Sequence, residues 1–259
     1  MKVGISYNLF DGEELLEASI KSVRDNVDYI SIVYQTESNF GNPCSPDLIP
    51  LLEELKNKKL IDELYRYKPK TNQRGHYNEI TKRNIGLSLS QGRGCTHHMA
   101  IDSDEFYTDS QFKYLKEVMD KEDYDACACQ MVTYYKEPTY ILDPKESYYV
   151  SLLYKIKSGC QYIMNHDFPV LVDPTRRMKS AKCKIFTRKE IEMHHMSYVR
   201  KDISIKFQNS SAVSDGYTDS FNLMKEHYDS WELGKKAVCG IPLRPFNVIK
   251  TENIFNVKW

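Results

Sequence analysis

Cys95–Thr108 reads CTHHMAIDSDEFYT. An uncharged, largely apolar run ends in Asp102, Asp104 and Glu105, with Ser103 between the aspartates. The run has the length of a buried strand rather than a helix. An acidic cluster at its end needs a physical reason, because two carboxylates ~4 Å apart repel by several kcal/mol at a protein-like dielectric.

The surroundings place this strand in a repeating pattern. Before it, HYNEITKRNIGLSLSQG (76–92) predicts a helix ended by Gly92, the residue type favoured after a helix. After it, SQFKYLKEVMDKEDY (110–124) predicts a helix and DACACQMVTYY (125–135) a strand. Upstream, KVGISYN (2–8), YISIVYQ (29–35) and IDELYRY (61–67) read as strands. Between them, DGEELLEASIKSVRDNV (11–27) puts Leu16, Ile20, Val23 and Val27 on one helical face. Asp11 with Glu14 three residues on predicts a capping box there. SPDLIPLLEELKNKKL (45–60) predicts a helix with Leu48, Leu51, Leu52 and Leu55 inward. Such alternation implies an α/β fold, a mostly parallel central sheet with helices on both faces.

Beyond Asp143 the rhythm breaks. ESYYVSLLYKI (146–156) reads as a helix, KCKIFTRKEI (182–191) as a strand and DSFNLMKEHYDSW (219–231) as a helix. Pro169, Pro174, Pro242 and Pro245 mark irregular connections. No repeat or low-complexity linker divides the chain. Residues 1–259 therefore predict one domain, with a regular nucleotide-binding half (1–135) and an irregular acceptor-binding half (136–259).

Composition narrows the function. Lys plus Arg and Asp plus Glu number 36 each, and this balance argues against a general nucleic-acid binder. No apolar run approaches the ~20 residues of a membrane span, and the start in a strand pattern predicts no signal peptide. Peripheral membrane contact stays open. The seven cysteines are irregularly spaced, and the Cys127-x-Cys129 pair has no second pair to make a zinc module. They predict reduced, mostly buried thiols and a cytoplasmic protein. The 19 tyrosines read mainly as core-edge residues.

In an open parallel sheet, ligands bind outside the carboxyl ends of the strands, where Asp102 and Asp104 stand. Residues two apart in an extended segment point the same way. A divalent cation would turn their repulsion into attraction, and hard oxygen ligands select Mg²⁺ or Mn²⁺ together with substrate phosphates. The competing reading is a solvated acidic turn that caps the following helix.

KRNIGLSLSQGRGCTHHMAIDSDEFYT (82–108) resembles the central signature of family 2-type glycosyltransferases of the GT-A fold, an R-N-x-G helix followed by a strand ending in D-x-D. Arg83, Asn84, Gly86, Asp102 and Asp104 match it, and VGISYNLFDGEELLEASIKSV (3–23) is similar to the family's first strand and helix. The likeness covers roughly residues 1–135. It implies a metal-dependent glycosyltransferase of the hexosyltransferase type. Such an enzyme moves a sugar from a UDP- or GDP-sugar to a glycan or other hydroxyl acceptor, with inversion, in glycan or polysaccharide synthesis.

The implied nucleotide-sugar contacts are Ser6, Tyr7, Asn8, Gln35, Arg83, Asn84, Asp102, Ser103, Arg200 and Lys206. Gln35 stands where family members often carry an acidic base-reading residue. Asn84 is equally a plain structural hydrogen-bonder on an apolar helix face, and Arg83 reaches either a phosphate or the surface. The implied metal ligands are Asp102, Asp104 and one histidine of His194 and His195, with His195 favoured. His97 and His98 read as structural. Asp167, Asp173 and Glu105 are the candidate bases for the acceptor proton. Two alternatives remain: a nucleotidyltransferase, against which the acidic SYNLFDGEE (6–14) counts, and a non-catalytic sugar-binding module.

Overall fold

The strand β1 (Val3–Leu9) has two unlike faces. Val3, Ile5, Tyr7 and Leu9 enter the main apolar core of 29 buried residues. Gly4, Ser6 and Asn8 alternate with them and look the other way, as strand geometry requires. That second face is covered by α3 (Gly75–Gly92) at very short range. A Cβ on Gly4 would lie 2.5 Å from Ser90 Oγ, and one on Gly86 would lie 2.1 Å from Ser6 Oγ. The small residues Gly86 and Ser90 of the helix thus lie directly on β1, so side-chain bulk sets the helix-to-sheet distance.

The computed structural model describes residues 1–259. The first half contains β1, α1 (Glu13–Val23), β2 (Tyr29–Tyr34), α2 (Leu48–Asn57), β3 (Glu63–Arg66), α3, β4 (His97–Asp102), β5 (Glu105–Phe106), α4 (Asp109–Lys121) and β6 (Ala126–Tyr135). Strands β3, β2, β1 and β4 lie side by side in that order and are parallel. The expected alternation is therefore present, within a mixed α/β sheet of twelve strands. The α1 helix buries Leu15, Leu16, Ile20 and Val23. Its expected capping box does not form: Gly12 is the N-cap, at φ 77°, with no side-chain cap bond. Only glycine fits there, because the conformation is left-handed and a Cβ would meet Arg200 Nη1 at 2.5 Å.

The second half adds β7 (Glu137–Asp143), β8 (Tyr149–Lys155), β9 (Cys183–Ile185), β10 (Glu192–Tyr198), α5 (Ile203–Asn209), α6 (Thr218–Asp229), β11 (Ala237–Cys239) and β12 (Arg244–Lys250). The segment read as a helix at 146–156 is β8. Val150–Tyr154 are all buried, so the segment carries no alternation to distinguish strand from helix. The strand expected at 182–191 shortens to β9. The long strand β6 carries β8 and then β7 on one edge, antiparallel, and β9 and then β10 on the other, parallel. A second core of ten buried residues, including Phe207, Phe221 and Tyr228, packs α5 and α6 against this end of the sheet. All seven cysteines are free, and Cys127 and Cys129 are buried. No helix is long and apolar enough to cross a membrane.

Candidate functional site

The carboxyl ends of β1, β2 and β4 open into a cleft of about 400 Å³ whose only hydrophobic lining residue is Phe10. Asn8 at the end of β1 sits in register with Asp102 at the end of β4. Gln35 follows β2, and Asn39, Glu79, Lys82, Ser103, Asp104 and Asp173 also line the cleft. The wall from the second half is His195, Ser197, Arg200 and Lys206.

Several polar groups in the cleft lack protein partners. Both amide atoms of Asn8, Gln35 Oε1, and Nε and Nη1 of Arg200 are buried without a hydrogen bond. Gln35 is fixed in orientation, because its Nε2 donates to the Glu37 carbonyl at 2.7 Å. Asn8 is 8% exposed and Arg200 6%. Unsatisfied buried groups are uncommon in folded proteins and mark places where a ligand completes the bonding.

The acidic cluster is not bare. Asp104 is buried, and its Oδ2 accepts from Arg200 Nη2 at 2.6 Å and from Lys206 Nζ at 2.8 Å. Burial alone would raise its pKa, but Lys206 and Arg200 outweigh burial and hold the carboxyl far below the ordinary range. Asp102 accepts from Arg176 Nη2, and Arg83 Nη2 stands 3.6 Å from the same oxygen. Burial pushes this carboxyl upward, but Arg176 and Arg83 together outweigh burial and hold it below the ordinary carboxylate range. Glu105 faces inward and forms a two-pronged pair with Arg176, one arm at 3.0 Å. Burial pushes Glu105 upward and the nearby Asp102 adds to that.

Arg176 escaped the sequence reading. It ends the short 3-10 turn Pro174–Arg176, whose start is capped by Asp173 accepting from the Thr175 amide at 2.6 Å. Its own carbonyl accepts from Ser151 Oγ and Tyr154 OH, both at 2.8 Å. The irregular segment is thereby tied to β8 on one side and to the acidic cluster on the other. The only sequence signal was the pair of arginines in DPTRR (173–177), which has no periodicity to interpret.

The expected site residues separate cleanly. Asn8, Gln35, Asp102, Ser103, Asp104, Asp173, His195, Arg200 and Lys206 share the cleft. Ser6 does not reach it, being sealed under Gly86, and Tyr7 points into the core with its hydroxyl 3.1 Å from Ser19 Oγ. Asn84 is structural: it donates to the Tyr162 carbonyl at 3.1 Å and accepts from the Tyr162 amide at 2.8 Å. Arg83 is buried behind the cleft, on Asp102 and on Thr175 Oγ1 at 3.3 Å. Asp167 is exposed and outside the cleft, and Glu105 is enclosed by Arg176, so neither is placed to meet an acceptor.

The β10 strand turns His194 and His195 to opposite faces, as adjacent side chains on a strand must lie. His195 Nε2 lies 3.7 Å from Asp104 Oδ1. His194 Nδ1 lies 2.9 Å from the Tyr134 hydroxyl, and its ring packs on Phe255. Burial holds both imidazoles at about 4, hence neutral near pH 7. His97 and His98 are buried, as expected of structural residues.

A divalent cation fits this arrangement poorly. Asp102 and Asp104 each carry two protein cations, and no three side chains of the His, Cys, Asp and Glu types come together to hold a metal. These cation contacts fall on the Oδ2 atom of each aspartate, and Asp104 Oδ1 lies 3.7 Å from His195 Nε2.

No protein-family model matches the chain, and no curated protein matches it. Among solved structures the chain is similar to S. aureus TarS, at 10% identity and a TM-score of 0.48 over 87% of this chain and 43% of that one. It thus spans less than half of that TarS chain. TarS 1–349 in complex with UDP aligns at 10% identity and 0.49, covering 86% and 71% of the two chains. Its complex with UDP-GlcNAc aligns at 11% identity and 0.48, covering 86% and 72%.

Proposed function

We propose that the cleft binds a nucleotide diphosphate sugar and that the protein transfers the sugar to a hydroxyl acceptor. The observation that carries this reading is the convergence of four features at the carboxyl ends of parallel strands. These are the unpaired amide of Asn8 with the free carbonyl oxygen of Gln35, the Asp102 carboxylate, the Arg200–Lys206 cation pair and the Asp173 carboxylate. Amides with free donors and acceptors suit a nucleobase edge. Cations suit a diphosphate, whose charge grows as it leaves.

In the reaction the bond between the anomeric carbon and the diphosphate oxygen breaks, and a bond from the acceptor oxygen to that carbon forms. The diphosphate leaves with the bonding electron pair, and the acceptor proton passes to a carboxylate. Asp173 is the base in this proposal. Both protein hydrogen bonds to its carboxylate fall on Oδ1, leaving Oδ2 to take a proton. A single displacement of this kind inverts the anomeric centre. A metal at Asp102, Asp104 and His195 would supply charge neutralisation to the leaving group, but the cations already on the two carboxylates favour a protein source of that charge.

The test is a thermal-shift panel of UDP-, GDP-, CDP- and ADP-sugars, followed by donor hydrolysis with water as acceptor. A ligand at 100 times its dissociation constant adds ~2.7 kcal/mol of stability, which is readily seen. Asp173→Asn is expected to lower turnover at least ~100-fold, the lower end of general-base contributions, with nucleotide affinity unchanged. Absence of stabilisation by every member of the panel would overturn the reading.

A further inference from the structure

The acidic cluster carries its own counter-charges. Three carboxylates, Asp102, Asp104 and Glu105, are paired with four cations, Arg83, Arg176, Arg200 and Lys206. The mutual repulsion of these three carboxylates, which would call for a divalent ion, is therefore already relieved by their own cationic partners. Asp11, Glu79 and Asp173 also line the cleft with Lys82; Lys82 pairs with Glu79 at 3.0 Å.

The unsatisfied atoms of Arg200 indicate the sign of the missing partner. Its Nε and Nη1 are donors, buried and without an acceptor. A metal ion cannot satisfy a donor; a phosphate oxygen can. Lys206 is 24% exposed at its side chain and lies on the cleft wall beside Arg200.

We propose that the donor diphosphate is held by Arg200 and Lys206 in place of a divalent cation, so that nucleotide binding is metal-independent. This rests on the nucleotide-sugar reading of the cleft. Asp104 then serves as the resting partner of the two cations. When the diphosphate enters, its oxygens take the free donors of Arg200 and compete with Asp104 for Lys206. Asp104 is a positioning residue that holds the pair in place between turnovers.

The experiment is calorimetry of UDP, GDP and inorganic pyrophosphate with the purified protein, in EDTA and in Mn²⁺, together with Mn²⁺ titrated alone. The expected result is an affinity in EDTA within about threefold of that in Mn²⁺, and no saturable binding of Mn²⁺ alone. Lys206→Met, at a partly exposed position that tolerates truncation, is expected to weaken binding at least tenfold in both buffers. Asp104→Asn removes the rival carboxylate and is expected to keep or tighten binding in EDTA, whereas a metal bridge would lose it. Circular dichroism of each variant confirms folding, and Asp104→Ser serves as the second variant if the asparagine misfolds. Binding seen only with Mn²⁺, or abolished by a folded Asp104 variant, overturns the proposal and leaves the transfer reading standing. Binding of no nucleotide in either buffer overturns both.

Discussion

Adding one methyl group at Gly86 tests why the R-N-x-G helix needs its glycine. In Gly86→Ala the new Cβ would lie 2.1 Å from Ser6 Oγ and 2.3 Å from Ser6 Cβ. Ordinary contacts between carbon atoms fall at about 3.5–4.0 Å, so α3 and β1 must separate by more than ~1 Å. Ser6 is fully buried and has no solvent side to turn to. Overpacking of this kind costs ~1–3 kcal/mol and here sits at the upper end. The better helix propensity of alanine returns up to ~1 kcal/mol. The net expectation is a loss of ~2 kcal/mol, or a fall in Tm of ~4–8 °C for a chain of this size. Urea denaturation measures it directly. Ser6→Gly removes both clashing atoms and breaks no hydrogen bond of the hydroxyl, so the double variant should recover at least ~1 kcal/mol relative to additivity. Because Asn8 lies two residues along the same face of β1, nucleotide affinity should fall with Gly86→Ala and recover with the second change. A Gly86→Ala protein as stable as the parent, or a double variant no better than the sum of its parts, would refute the close-packing account.

Two further outcomes follow from buried titratable groups. His98 is fully buried with its Nδ1 2.8 Å from Ser90 Oγ, and burial together with Arg83 lowers its pKa to about 3. An unfolded histidine titrates near ~6.5, so this contribution is complete above that pH and is lost as pH falls from there towards 3, up to ~5 kcal/mol in all. Urea midpoints of the parent should therefore drop between pH 6.5 and 4 more steeply than those of His98→Asn; parallel curves would remove His98 from the explanation. Glu105→Gln leaves Arg176 short of one carboxylate in a buried place, a change expected to cost ~3 kcal/mol of stability. A stable Glu105→Gln protein with abolished turnover would return Glu105 to the list of bases.

The first half was legible because each of its elements states its own period. Leu16, Ile20 and Val23 mark α1 without reference to anything distant, and the strand before Asp102 is bounded by its own acidic end. In the second half the helix read at 219–231 is present as α6, but the strands are built from long-range pairings that no local period encodes. β10 pairs with β6, some 60 residues earlier in sequence, and with β5, earlier still, as the registers of His194 with Val132 and with Phe106 show. β8 is buried along its length and so lost the alternation that identifies a strand. At the site, the aspartates at a sheet edge were readable, as were the cationic candidates Arg200 and Lys206. What was not readable is that Arg176, 74 residues from Asp102, would fold onto the cluster and pair with both Asp102 and Glu105. Asn84 and Arg83 illustrate the same limit: neighbours in sequence, one clamps the Tyr162 backbone and the other backs the cleft.

The position of β6 has a consequence for how the chain can be cut or can come apart. Both of its edges are occupied by strands from beyond residue 136, and its C-terminal end closes the first half. A fragment ending at Tyr135 would leave that strand with two rows of unpaired amides and carbonyls, a template for intermolecular pairing. Residues 1–135 and 136–259 are thus not autonomous folding units. Amide hydrogens of β6, β8 and β10 should exchange with solvent together, through one shared opening event rather than two.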